Sequence, residues 1–213
     1  MEPCPLCQHA DSILFSSDSQ REYRQCLQCQ LVFVPSTQLL SPAQEQQHYQ
    51  LHNNDLDDPG YRQFLQRLAS PLLAALPPGQ LQGLDFGCGP GPLLAKMLAE
   101  AGHQMQLWDP FFANNPAALA QSYDFISCSE AIEHFVHPAQ EWQCWLGLLK
   151  PGGVLAIMTS HYLDAAHFAN WHYKRDPTHI RFFHQRTFAF LAQRDQLSLS
   201  FPAKDVVLLR KAG

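Results

Sequence analysis

Leu81-Gln82-Gly83-Leu84-Asp85-Phe86-Gly87-Cys88-Gly89-Pro90-Gly91 decides how the rest of the chain is read. A strand-like run, Leu81 to Phe86, leads into a turn in which Gly87, Gly89 and Gly91 alternate with other residues. In an open α/β sheet such a βα turn lies at the carboxyl edge of the strands, where ligands bind. Glycine lets the chain reverse sharply and lets a ligand approach the backbone with no Cβ in the way. The spacing is not that of a dinucleotide site. The third glycine falls one residue early, and Pro92 stands where G-x-G-x-x-G requires glycine. Asp85 opens the loop with a negative charge, poor company for a pyrophosphate and suited to a cationic ligand. Asp109 ends the next strand-like run, eighteen residues after Gly91, where a carboxylate can accept both hydroxyls of a ribose. Acid, glycine turn and second acid together suit a nucleoside whose far end is an amino acid, the form of S-adenosylmethionine.

Outward from this stretch, strand-like and helix-like segments alternate. Tyr61, Phe64, Leu65, Leu68, Leu72 and Leu73 recur at helical spacing until Pro77-Pro78-Gly79 stops them. Residues 92–101 read as a helix, 104–109 and 123–127 as strands, 138–149 as a helix with Trp142 and Trp145 inward, and 154–159 as a strand after the Pro151-Gly152-Gly153 turn. Such alternation gives crossover connections and a mostly parallel sheet. Residues 197–201 and 205–210 are strands joined by three residues, which only an antiparallel hairpin allows.

The first 35 residues have another texture. Cys4-x-x-Cys7 and Cys26-x-x-Cys29 are separated by eighteen residues, the spacing of a four-thiolate zinc ribbon. Each pair places two sulfurs on one tight turn, and two such turns complete a tetrahedron. A segment this short cannot bury enough apolar area to fold unaided, so the metal supplies the missing free energy. Four thiolates leave no open coordination position, which makes the expected zinc structural. Residues 36–60, rich in Gln, Asn and Asp, read as a linker or as a lid in which His48, Tyr49 and His52 join Tyr61.

Taken in order, residues 84–91, Asp109, residues 123–126, Glu130–His134 and Leu149-Lys150-Pro151-Gly152-Gly153 resemble the class I S-adenosylmethionine-dependent methyltransferases, over about residues 60–210. With the ribbon, the chain is similar to the zinc-binding subgroup that includes sugar C-methyltransferases, and its catalytic part to polyprenyl-quinol methylases. The resemblance implies an α/β fold: a Rossmann-like, mostly parallel sheet with a C-terminal antiparallel hairpin, preceded by a small N-terminal zinc ribbon. The corresponding divisions are 1–35 ribbon, 36–60 linker or lid, and 61–213 methyltransferase domain. It also implies that Asp85, Phe86, Gly87, Cys88, Gly89 and Gly91 hold the methionyl part of S-adenosylmethionine and Asp109 its ribose, with Cys128 and Glu130 near the reactive end. One departure stands out. Family members usually carry a helix and a third strand, with an adenine-binding acid, after the ribose acid. Residues 110–122 are too few for both. Phe111 and Phe112 are then either a stacking face for adenine or ordinary core.

Methyl transfer is an in-line displacement at an activated carbon, so the enzyme's work is to position the acceptor and to take its proton. Seven of the eleven histidines fall between residues 134 and 184. His134 and His179 are the candidate bases, Asp176 the group that orients them, and His161, Trp171 and His172 candidate acceptor contacts. A helix ending before Pro177, followed by Thr178-His179, would place this cluster over the active-site mouth. Singly, each histidine reads sooner as a helix cap and the aromatics around Trp171 as core; the cluster as a whole reads as an acceptor pocket. Glu133 reads as a helix-start charge, and Cys88, Cys128 and Cys144 as small packing residues.

Composition bounds the function. With 46% hydrophobic residues, the 213-residue chain can bury a proper core. A net charge of −5, with only Arg21 and Arg24 as cations in the first 35 residues, argues against a phosphate-tracking surface and so against nucleic acid. No apolar run approaches the roughly 18–20 residues of a membrane span, and Met1 to Ala10 lack a leader pattern, so the expected location is cytoplasmic, with reduced thiols. Three functions fit: methylation of a small-molecule acceptor, which these features favour; methylation of RNA or protein, with the ribbon recognising the macromolecule; and a non-catalytic scaffold that binds S-adenosylmethionine. Acceptor identity and oligomeric state are not legible.

Overall fold

A computed structural model of the chain describes residues 2–49 and 56–213. In chain order, the ribbon supplies β1 (Ser12–Ser17), β2 (Glu22–Cys26) and β3 (Val32–Phe33); α1 (Pro42–Tyr49) and α2 (Pro59–Ala75) follow. Then come β4 (Gln82–Phe86), α3 (Leu93–Glu100), β5 (Gln104–Trp108), β6 (Tyr123–Ser129), α4 (Pro138–Leu148) and β7 (Leu149–Met158). The last elements are α5 (Ala165–Asn170), β8 (Arg181–Phe182), α6 (Gln185–Arg194), β9 (Ser198–Ala203) and β10 (Val206–Arg210). No helix among the described residues is long and apolar enough to cross a membrane.

Six strands form the main sheet in the order β5-β4-β6-β7-β10-β9. The first four are parallel, and β10 is antiparallel to both β7 and β9, as the short 203–206 connection demands. Strand alternation divides the buried side chains of β7 between two layers. Val154, Ala156 and Met158 meet Leu65, Leu68, Leu72 and Leu98 of α2 and α3. Leu155 and Ile157 meet Trp142, Trp145, Phe188 and Leu191 of α4 and α6. Asp58 caps α2 by accepting from the Gly60 amide at 2.7 Å, and Pro59 occupies the first helical position, where no amide is needed. At Gly83 the Phe125 ring lies so close that a Cβ would come within 2.2 Å of it, so β4 and β6 approach only because glycine is there.

Where a third strand was expected to be missing, residues 110–122 hold only a 3-10 turn, Pro116–Ala120. Three local expectations are corrected. The Pro151-Gly152-Gly153 turn lies inside β7, because the chain re-enters the ladder after a register shift opposite Tyr123–Phe125 and passes through Gly152 at φ +76. The helix expected up to Pro177 breaks after Asn170 into a 3-10 turn, His172–Arg175. The 36–60 segment carries α1, with the Ser41 hydroxyl and amide both held by the Gln44 side chain. His52 lies outside the described residues.

A second sheet, β1-β2-β3-β8, is antiparallel throughout, and its fourth strand comes from beyond β7. Tyr23, Val32 and Val34 of the ribbon share a buried cluster with Tyr162, Phe168, Trp171, Ile180 and Phe182.

Candidate active site

The four ribbon cysteines converge. Cys4 Sγ lies 3.6 Å from Cys29 Sγ and Cys7 Sγ 3.5 Å from Cys26 Sγ, and all four sulfurs fall within 4.8 Å of one another. Thiolates about 2.3 Å from a common zinc stand roughly 3.8 Å apart, so the donor set fits. The turns match: Gln8 N donates to Cys4 O and Gln30 N to Cys26 O, with Gln8 and Gln30 both left-handed at φ 63 and 62.

At the carboxyl edge of β4, β5 and β6 lies a cavity of about 440 Å³. Its floor is the loop Gly87-Cys88-Gly89-Pro90; Gly87 and Gly89 adopt φ +75 and +63, and a Cβ at Gly87 would strike Ala131 at 2.6 Å. Asp109 shapes that floor. Its Oδ2 accepts from Gly89 N at 3.0 Å, and its Oδ1 from Phe111 N and Phe112 N at 2.9 and 3.0 Å. Phe111 and Phe112 both line the cavity, and Phe112 is exposed, so neither ring is plain core. Glu45 and Tyr49 of α1 and Tyr61 and Phe64 of α2 also line it, with Tyr49 packed on Phe111 and on His134.

Asp85 is placed differently from Asp109. It is buried behind the loop, accepts from Ser127 Oγ at 2.8 Å, and does not line the cavity. Burial pushes its carboxyl up to about 6, against the hydrogen bonds from Ser127 and the Ala95 amide. Phe86, Gly91 and Cys128 are also buried and support the loop from below.

The far end of the cavity holds Glu130, His134 and His179. Glu130 sits just past β6 with φ +46, and burial pushes its carboxyl up to about 7. Glu133, fully buried, is pushed up to about 7 by the same cause and by Glu130. The Tyr173 hydroxyl bridges them, 2.5 Å from Glu133 Oε1 and 3.2 Å from Glu130 Oε2, while Thr159 Oγ1 donates to Glu133 Oε2. Glu133 thus stands in the first turn of the 3-10 helix Ile132–His134, as expected, but fully buried. Glu130 and Glu133, one helical turn apart after a strand, were the available signal.

The two imidazoles stack edge to face at 4.7 Å. His134 Nδ1 donates to the Thr178 carbonyl (3.1 Å) and His179 Nδ1 to the Tyr173 carbonyl (2.7 Å), since a carbonyl can only accept. In the neutral form each ring then carries its lone pair on Nε2. Glu133, His134 and His179 offer ligand atoms within 4.8 Å of one another, a set able to receive a proton or hold a cation. Asp176 turns its Oδ1 to the Thr178 amide and hydroxyl, and its Oδ2 stands 3.9 Å from His179 Nε2, beyond hydrogen-bond reach, so the Tyr173 carbonyl at 2.7 Å orients the ring. His161, Trp171 and His172 do not line the cavity. His161 packs between Phe188 and Phe201, Trp171 stacks on Tyr173 in the ribbon-side core, and His172 is exposed; the break at Asn170 turns this stretch away from the cavity.

Residues 59–199 match the family model described as a methyltransferase domain. The ubiquinone biosynthesis O-methyltransferase of Yersinia pestis (strain Pestoides F) is 30% identical over 80 residues, 38% of this chain and 33% of that protein. The chain thus matches about a third of the length of such relatives. Among solved structures, the 1,6-didemethyltoxoflavin-N1-methyltransferase of Burkholderia thailandensis, with 1,6-didemethyltoxoflavin and S-adenosylhomocysteine bound, is 17% identical over 96% of this chain and 100% of that one, with a TM-score of 0.55. An O-methyltransferase family protein from Burkholderia thailandensis is 16% identical over 79% of this chain and 63% of that one, with a TM-score of 0.52. At such identities the structures establish the fold, and the family match spans most of the chain. The glycine floor, the strand order and a family match over 59–199 together place this chain in the methyltransferase-domain family.

Proposed function

We propose that the protein transfers a methyl group from S-adenosylmethionine to a small-molecule acceptor seated against Glu130, His134 and His179. The observation that carries this reading is a single cavity running from the glycine floor to the two imidazoles. When bound, the cofactor supplies a methyl group already activated on a sulfonium. Asp109, its carboxylate aligned by three backbone amides, is the ribose acceptor, and the exposed face of Phe112 is where adenine stacks in place of the missing strand. With Nδ1–H held by the Tyr173 carbonyl, the neutral His179 ring offers Nε2 to take the proton of an acceptor hydroxyl as the new bond forms. Four carboxylates and no Lys or Arg line the described cavity, which favours a neutral or cationic acceptor over a phosphorylated one. The two similar proteins named above for their substrates, a ubiquinone-pathway O-methyltransferase and an N1-methyltransferase, support the small-molecule class. The thiolate quartet holds a structural zinc, and reduced thiols suit the cytoplasm.

Calorimetry of the zinc-loaded chain with S-adenosylhomocysteine tests the cofactor site. Wild type is expected to bind, and Asp109→Ala to bind at least about tenfold more weakly, because an aligned acceptor and the floor it shapes are both lost. Absence of binding in the wild type overturns the reading. Labelled methyl transfer into a metabolite extract against ribosomal RNA tests the acceptor class, and binding with transfer to neither identifies a scaffold.

A further inference from the structure

The segment that carries Tyr173, Asp176 and His179 has little regular structure of its own, yet it brings His179 to the cavity. What fixes it comes from the ribbon. Arg21 stands on the β1–β2 turn, one residue before β2. Its Nη2 donates to the carbonyls of Lys174 (2.5 Å) and Asp176 (3.1 Å), and its Nη1 to those of Pro177 (3.0 Å) and His179 (3.1 Å). One planar guanidinium thus gathers four backbone carbonyls of a six-residue stretch, a task suited to a rigid fork of donors. The turn is itself pinned. Asp18 Oδ1 accepts from the amides of Gln20 and Arg21, and its Oδ2 from the Tyr23 hydroxyl and from Lys174 Nζ at 2.9 Å. At the other end of β2 stands Cys26, a member of the thiolate quartet. A five-residue strand therefore links the metal site to the clamp.

We infer that Arg21 is a positioning residue for His179, through which the ribbon holds the acceptor side of the cavity in its working form. The inference rests on the proposed role of His179 and adds a purpose for the ribbon: the metal shapes the active site at a distance, with no contact to cofactor or acceptor. Loss of the four carbonyl contacts frees the peptide units on either side of His179. The Tyr173 carbonyl then no longer holds the proton on Nδ1, and Nε2 is no longer fixed as the accepting nitrogen of the neutral ring.

The test uses the full, zinc-loaded chain labelled with 15N-histidine, at mildly alkaline pH where neutral imidazole tautomers resolve, with the His179 signal assigned by its loss in His179→Asn. Wild type is expected to show His179 protonated at Nδ1. Arg21→Ala is expected to lose that signature and show the solvent mixture of tautomers. Arg21→Lys should retain part of it, since an ammonium cannot span four carbonyls. S-adenosylhomocysteine affinity should stay within about twofold in both variants, because the glycine floor and Asp109 stand on other elements. If Arg21→Ala does not fold, Arg21→Lys carries the same readout. A His179 signal unchanged from wild type in both variants overturns the inference, and so does loss of cofactor binding together with the signal, which marks a general collapse. If wild type itself fails to bind S-adenosylhomocysteine, the functional reading falls, while the tautomer comparison still decides the clamp.

Discussion

Asp85 and Asp109 show how much one residue's surroundings decide. Both are acids at the carboxyl ends of neighbouring parallel strands, and in sequence they form one pair flanking a glycine turn. In the fold, Asp109 spends its oxygens on loop amides facing the cavity, whereas Asp85 is paired in register with Ser127 and sealed in. The sign of the Asp85 contribution follows from its carboxyl being raised from 3.8 to about 6 by burial. The folded state favours the protonated form, so the contribution is fully present below pH 3.8 and is lost as pH rises through 6. The span amounts to about 3 kcal/mol. Asp85→Asn removes the titration and leaves any packing penalty as a constant offset. In urea unfolding, the stability of the variant relative to wild type should therefore rise from pH 4 and level off above about pH 6. A difference that stays flat across that range contradicts the burial argument. The acid type and its place at a strand end were legible in the sequence. The Ser127 partner was not, because a neighbour 42 positions away is chosen by strand register.

At the scale of elements, the ribbon's two knuckles were legible and its last strand was not. Paired C-x-x-C spacing carries its own geometry, whereas β8 is two residues long and has no periodicity to read. The knuckles make a further demand that spacing alone does not express. The residue after each second cysteine turns left-handed, and in both cases it is a glutamine. A left-handed conformation costs a non-glycine residue about 1–2 kcal/mol, most for a β-branched one. Gln30→Gly should therefore bind zinc at least as tightly as wild type in competition with a chromophoric chelator, while Gln30→Val should lose about tenfold. The Gln30 carbonyl that accepts from the Tyr162 hydroxyl is retained in both variants, so the comparison isolates backbone strain. Equal affinities for the Gly and Val variants would show that φ at this position does not matter. The same reasoning explains the helix break at Asn170. The dense aromatics there were legible, but not the 3-10 turn, because the Lys174 carbonyl and those that follow it find their partner in Arg21, more than 150 positions away.

Across the whole molecule, the expected boundary at residue 35 meets a continuous core. Cys4, Leu6, Leu31 and Phe33 are buried in the same cluster as Phe183, Phe188 and the α4 tryptophans. Arg181, almost fully buried, ties the halves together: it donates to the carbonyl of Val34 on the ribbon side and to those of Phe135 and Val136 beside His134. Burial lowers its guanidinium to about 10, still charged at neutral pH, so the carbonyl contacts are indispensable. A chain beginning at residue 36 would strip β8 of β3, its sheet partner among the described residues, and uncover Tyr162, Phe168, Trp171, Ile180 and Phe182. At about 2 kcal/mol for each large apolar side chain, that is about 10 kcal/mol, as large as the whole stability of an ordinary domain. The truncated chain is therefore expected to lose its near-ultraviolet circular dichroism and to gain no thermal protection from S-adenosylhomocysteine. A ribbon that is merely appended predicts the opposite: a soluble fragment melting cooperatively within about 3 °C of the full chain. The two outcomes lie far enough apart for a single melting curve to decide whether the four-cysteine ribbon belongs to the fold of the methyltransferase domain or is only carried by it.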